Sequence, residues 1–222
     1  GVKGWVNTLN DHRGRKDALH QPIDQGRIDR ETLRVMLEAM EGSFPTFRRY
    51  FKAKAARFGQ KALPWWNLFA PVGELEKEYT FSEARDFILQ NFGNFSGELR
   101  EFAQTAFDNR WIDAEQRSGK RGGAFCMPVP GVQESRILCN FDGSLDQVMT
   151  IAHELGHGYH NFNMYQAGRT PLQRQTPMTM AETASIMCET IVFNAVMKEI
   201  SDPQEELALL ETALISDSQV IV

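Results

Sequence analysis

The sequence predicts a mainly α (α+β) fold, with a small β-sheet beside one chemically active helix. Three observations carry this. Helix-start signatures recur, two of them capping boxes: Thr80-Phe81-Ser82-Glu83 and Ser144-Leu145-Asp146-Gln147. Gly and Pro become frequent after residue 110, where two short runs have strand character. The third is the pentapeptide His153-Glu154-Leu155-Gly156-His157, whose chemistry needs a helix beneath it.

Residues 29–58 read as helix, with an interruption expected near Gly42-Ser43-Phe44-Pro45. Thr80 opens a helix to about Phe92, and a further helix runs from about Ser96 to Asn109. Ala124–Val129 and Arg136–Phe141 read as strands. Ser144 then caps a helix whose apolar stripe is Leu145, Val148, Met149, Ala152 and Leu155. The loop Ala167–Pro171 ends it, and Pro177 marks the approach to another helix over Ala181–Glu189. Asp202-Pro203 opens the last one, with Asp as N-cap and Pro at the first helical position.

The HExxH pattern has a mechanical meaning on a helix. Residues four apart sit on one face, so His153 and His157 can converge on a single zinc ion. Glu154 is turned about 100° around the axis, where it misses the metal but reaches a water activated by it. A catalytic zinc takes three protein ligands and keeps one position for water. The continuation HExxHxxGxxH fails twice, because His160 stands at the Gly position and Asn163 at the third His. A carboxylate from a second helix remains, and Glu182 leaves room to finish one helix, turn and return. Thr179-x-x-Glu182 is also a capping-box signature, so two readings compete for one carboxylate. Glu189, two turns further on, reads either as an acceptor for a ligand His N–H or as an ordinary helix Glu. His160 shares the ligand face, as a substrate contact or a structural His.

From Trp111 to Glu189 the chain resembles the oligoendopeptidase F branch of the thimet-oligopeptidase-like zinc peptidases. The matching pieces are Gly119-Lys120-Arg121-Gly122-Gly123-Ala124-Phe125, Ile137–Phe141, His153–His160 and Met180-Ala181-Glu182-Thr183-Ala184-Ser185. Weaker similarity includes Leu63–Pro71. The resemblance implies a helical zincin core with one Zn2+ per chain held by His153, His157 and Glu182, and Glu154 as general base. It implies an endopeptidase that cleaves internal bonds of oligopeptides by attack of a zinc-bound water. The sheet edge lines the family's peptide channel. The family also carries a His and tyrosines well downstream of its third ligand, whereas this chain stops at Val222. It is therefore expected to be a fragment of a larger enzyme: a helical part, 1–110, and a zinc-binding catalytic part, 111–222, incomplete at its C-terminus.

Composition narrows the alternatives. A net charge of −5 argues against nucleic acid as a partner, although Arg48-Arg49-Tyr50-Phe51-Lys52-Ala53-Lys54 is locally basic. No apolar run reaches the ~20 residues of a membrane span. Cys126, Cys139 and Cys188 form no CxxC pair; they read as reduced packing residues in a cytoplasmic protein. Ser118-Gly119-Lys120-Arg121-Gly122-Gly123 lacks phosphate-loop spacing and reads as a flexible turn before a strand. A non-catalytic, zinc-stabilised helical module is the alternative to the peptidase.

Overall fold

Polar side chains start most of the helices where the sequence marks them. The computed structural model describes residues 1–73, 75 and 77–222. Its elements are α1 (Val2–His12), α2 (His20–Gly26), α3 (Arg30–Arg57), a 3-10 turn (Trp65–Asn67), α4 (Phe81–Phe95), α5 (Gly97–Asp108), β1 (Ile112–Asp113), β2 (Phe125–Val129), β3 (Glu134–Leu138), α6 (Leu145–Gln166), α7 (Met178–Ala181), α8 (Thr183–Glu199) and α9 (Pro203–Ile221). The fold is thus mainly helical with a small sheet, as the sequence predicts. Both arms of the Thr80–Glu83 capping box are present at α4. Ser96 closes α4 and caps α5 by accepting the Leu99 N–H. At α6, Ser144 accepts the Gln147 N–H at 3.3 Å, but the return arm of that expected box is missing: Gln147 Oε1 is buried without a partner.

The chain forms two compact units. One gathers Gly1–Glu74, Pro177–Thr179 and Leu207–Val222; the other gathers Leu75–Thr176 and Met180–Glu206. In the first, α3 runs unbroken through Gly42–Pro45, contrary to the interruption expected there. Pro45 removes one intrahelical hydrogen bond, a local penalty. Burial of Phe47, Lys54 and Ala55 further along the helix outweighs it. Lys54 Nζ lies 2.6 Å from Glu211 Oε1 and donates to the Leu68 carbonyl at 2.8 Å. Tyr50 donates to the same Glu211 oxygen at 2.6 Å. Helices α1 and α2 are not among the elements expected above; each buries a single residue, Asn10 and Gly26.

The second unit is built around α6, which packs against α8, β2, β3, α5 and α4. It buries Leu145, Val148, Ile151, Ala152, Leu155, Gly156, Gly158 and Tyr165, so its apolar surface is wider than one stripe. The sheet order is β1-β3-β2, with β1 parallel and β2 antiparallel to β3. Strand β3 spans Glu134–Leu138 rather than the expected 136–141. Its extended path continues, since the Cys139 and Phe141 N–H groups donate to the Asp113 and Ala114 carbonyls.

The loop before β2 is pinned rather than flexible. The Lys120 side chain is only 2% exposed. Its ammonium reaches the carbonyls of Asp113, Glu115 and Cys139 at 2.9, 2.8 and 2.6 Å. Asn140 Nδ2 donates to the Arg121 and Gly123 carbonyls, both at 3.0 Å. Among the described residues no helix is long and apolar enough to cross a membrane.

Breaking one side of a buried ion pair strands the other charge. Glu211→Ala should therefore lower the unfolding free energy by about 3 kcal/mol in urea titration. Arg34→Ala, which removes exposed pairs with Glu31 and Glu38, should leave the midpoint unchanged.

Candidate metal centre

Helix α6 presents His153 and His157 one turn apart, with ring centroids separated by 4.9 Å. The predicted helix over 181–189 is two helices, α7 and α8, that break at Glu182. Glu182 is the N-cap residue of α8, and its side chain caps nothing. The capping-box alternative fails because Thr179 lies inside α7 and not at an N-cap, and its hydroxyl donates to the Gly26 carbonyl at 2.8 Å. The Glu182 carboxylate turns to α6. Its Oε2 lies 3.2 Å from Nε2 of His153 and 3.2 Å from Nε2 of His157. One ligand atom from each of the three residues falls within 4.8 Å of the others.

These residues fit a zinc ion. In a tetrahedral site with ligand bonds near 2.0–2.1 Å, ligand atoms stand about 3.3 Å apart, close to the observed separation. Two imidazoles and one carboxylate form a donor set that binds zinc in catalytic sites. Glu189 Oε2 lies 3.1 Å from His153 Nδ1. When Nδ1 alone carries the proton, the Nε2 lone pair points towards a carboxylate oxygen, an arrangement that a cation bound among the three atoms would stabilise.

Electrostatics separates the two imidazoles. The hydrogen bond to Glu189 raises the His153 pKa against the opposing effect of burial. Burial lowers that of His157, against the opposing effects of Glu182 and of a hydrogen bond to the Ala181 backbone. Burial also pulls the Glu182 carboxyl upwards, but a hydrogen bond from Ser185 and the two imidazoles outweigh it, and the net shift is down.

Glu154 is 6% exposed, and its Oε2 meets no donor among the described residues. Burial raises its pKa, partly offset by His153. It lines a cavity of about 430 Å3 with His153, His157, His160, Glu182 and residues of β2. The cysteines divide: Cys139 and Cys188 are buried, whereas Cys126 is half-buried and lines this cavity. Burial pushes its thiol up to about 12, so it stays protonated.

Two glycines of the motif set the spacing. A Cβ on Gly156 would lie 2.5 Å from the Ala184 carbonyl oxygen and 2.6 Å from Ser185 Cα. A Cβ on Gly158 would meet the Phe102 ring at 2.9 Å and Cys126 Sγ at 3.8 Å. The first lets α8 lie against α6; the second makes room for the Phe102 ring of α5.

Comparison with known proteins decides the family. The model of peptidase family M3 matches residues 8–218. The chain belongs to peptidase family M3.

Its relatives include the chromosomal oligoendopeptidase F of Lactococcus lactis, 28% identical over 79% of this chain and 29% of the relative. The plasmid form from the same organism is 28% identical over 92% of this chain and 34% of the relative. The chain thus spans about a third of these relatives' length. Among solved structures, a provisionally named peptidase from Chlamydophila abortus superposes with a TM-score of 0.81 at 23% identity, covering 96% of this chain and 35% of that one. PZ peptidase A with an inhibitor gives 0.68 at 18% identity, over 97% and 40%. These two likenesses show the fold of the family.

Sequence reasoning missed Ser185 and Asn161. Ser185 sits three residues after Glu182 on the same helix face, a spacing that could have flagged it. Asn161 donates to Ser135 Oγ at 3.1 Å and so ties α6 to β3 beside the cavity. Only a known sheet position would have revealed that partner.

A methyl group at position 156 must push α8 away. Gly156→Ala should destabilise the chain by about 1–3 kcal/mol and weaken zinc binding. Denaturant titration and metal competition measure the two effects.

Proposed function

We propose that the chain is the metal-binding part of a zinc-dependent endopeptidase that hydrolyses internal peptide bonds of oligopeptides. One observation carries this reading: a single Glu182 oxygen faces Nε2 of both His153 and His157, with buried Glu154 on the same cavity. His153, His157 and Glu182 would hold one Zn2+. Bound there, zinc supplies Lewis-acid polarisation of the scissile carbonyl and acidifies water.

This chain's own residues do the rest. Glu189 accepts the His153 Nδ1–H and keeps Nε2 unprotonated and aimed at the centre. Glu154 takes a proton from the attacking water through its unpartnered Oε2 and delivers it to the leaving amine. Strand β2 is one of the two outer strands of the sheet, and its Phe125, Cys126 and Pro128 line the cavity. An extended peptide laid along that edge would be held through main-chain hydrogen bonds, which tolerate many side chains. Cys126 and Pro128 would flank such a substrate, and His160 would contact it from α6.

The names of the relatives support oligopeptides as the substrate class. The three unpaired thiols fit a reducing compartment, the cytoplasm.

Two variants separate metal binding from chemistry. Glu154→Gln should retain one zinc per chain by elemental analysis. It should lose about 10^2–10^4-fold in turnover of an internally quenched oligopeptide. Glu182→Ala should lose the zinc itself. Chelator should abolish cleavage and added zinc restore it. Undiminished turnover in Glu154→Gln would sink the mechanism, and tightly bound zinc without chelator-sensitive hydrolysis would leave a zinc-stabilised module.

A further inference from the structure

We infer that Ser185 is a positioning residue for the Glu182 carboxylate and that it registers this ligand against the helix carrying both histidines. The inference rests on the zinc reading above and adds a residue to it.

Ser185 is fully buried, whereas Glu182 has a half-exposed side chain. The Ser185 hydroxyl lies 2.7 Å from Glu182 Oε2 and 3.0 Å from the Glu182 main-chain carbonyl. It has one proton, and the carboxylate is the stronger acceptor. The oxygen that receives it is the one facing both imidazoles. As N-cap of α8, Glu182 makes no cap bond with its side chain, so the helix end does not hold the carboxylate. The Ser185 backbone, by contrast, is held firmly: Ser185 Cα sits 2.6 Å from where a Gly156 Cβ would be. Position is therefore passed from α6 at Gly156, through Ser185, to Glu182 Oε2. Without the hydroxyl, a half-exposed carboxylate on three rotatable bonds can turn its oxygens away from the imidazoles.

The test is zinc affinity, read by competition with a chromophoric chelator on the whole chain, beside thermal unfolding of the metal-free protein. Ser185→Ala should weaken zinc about tenfold, the lower end of what lost outer hydrogen bonds cost a metal site. Its metal-free melting temperature should stay near that of the parent. Ser185→Thr, which restores a hydroxyl, should recover affinity to within about threefold. Two results would overturn the inference: Ser185→Ala binding zinc as tightly as the parent, or a weakened Ser185→Ala whose metal-free melting falls in step and which Thr does not rescue. A parent chain that binds no zinc would instead remove the site itself, so the two failures are distinguishable.

Discussion

Glu182 Oε2 lies 3.2 Å from Nε2 of both His153 and His157, and when both Nε2 atoms are unprotonated the three acceptors repel one another unless a cation sits among them. The architecture of the second unit holds these three side chains together. The histidines come from the middle of α6, where the helix is buried and cannot fray. The carboxylate comes from a helix break and is free of capping duty. Gly156 removes the one atom that would keep α8 away. Packing elsewhere in the unit thus fixes where the three side chains meet.

The cavity wall opposite the histidines depends on different forces. Lys120 is buried among three carbonyls and makes of the Gly-rich stretch a fixed approach to β2. Asn161 then binds α6 to Ser135 across the sheet. The aromatic side of α6 is closed by Phe102, whose ring approaches those of Trp111, Tyr159 and Phe162. Gly158 makes room for that ring. The two glycines of the motif thus answer to two neighbours, one polar and one aromatic.

Most of this was legible where chemistry is local in sequence. The pair His153 and His157, the capping residues at Thr80, Ser96 and Ser144, and the helix opening at Pro203 all depend on neighbours within four positions. Glu182 was legible only as one of two alternatives. What removed the other was the Thr179 hydroxyl finding Gly26, a partner far away in sequence. The continuity of α3 through Pro45 was invisible for the same reason, since the burial that overrides the proline is tertiary. Strand β1 is two residues long and exists through its pairing with β3, so no periodicity could announce it. Ser118–Gly123 read as a flexible turn because sequence shows the charge of Lys120 and not the carbonyls around it.

The ion pair of Lys54 and Glu211 also bears on the order of events during synthesis. The two partners are 157 positions apart. At bacterial or eukaryotic elongation rates, that interval corresponds to about ten to thirty seconds on the ribosome. Throughout it, α3 carries a lysine destined for burial and has no counter-ion to bury it with. The first unit therefore closes late, after the segment bearing both histidines and Glu182 has already been made. Until Glu211 is made, Lys54 lacks the carboxylate that accompanies its burial.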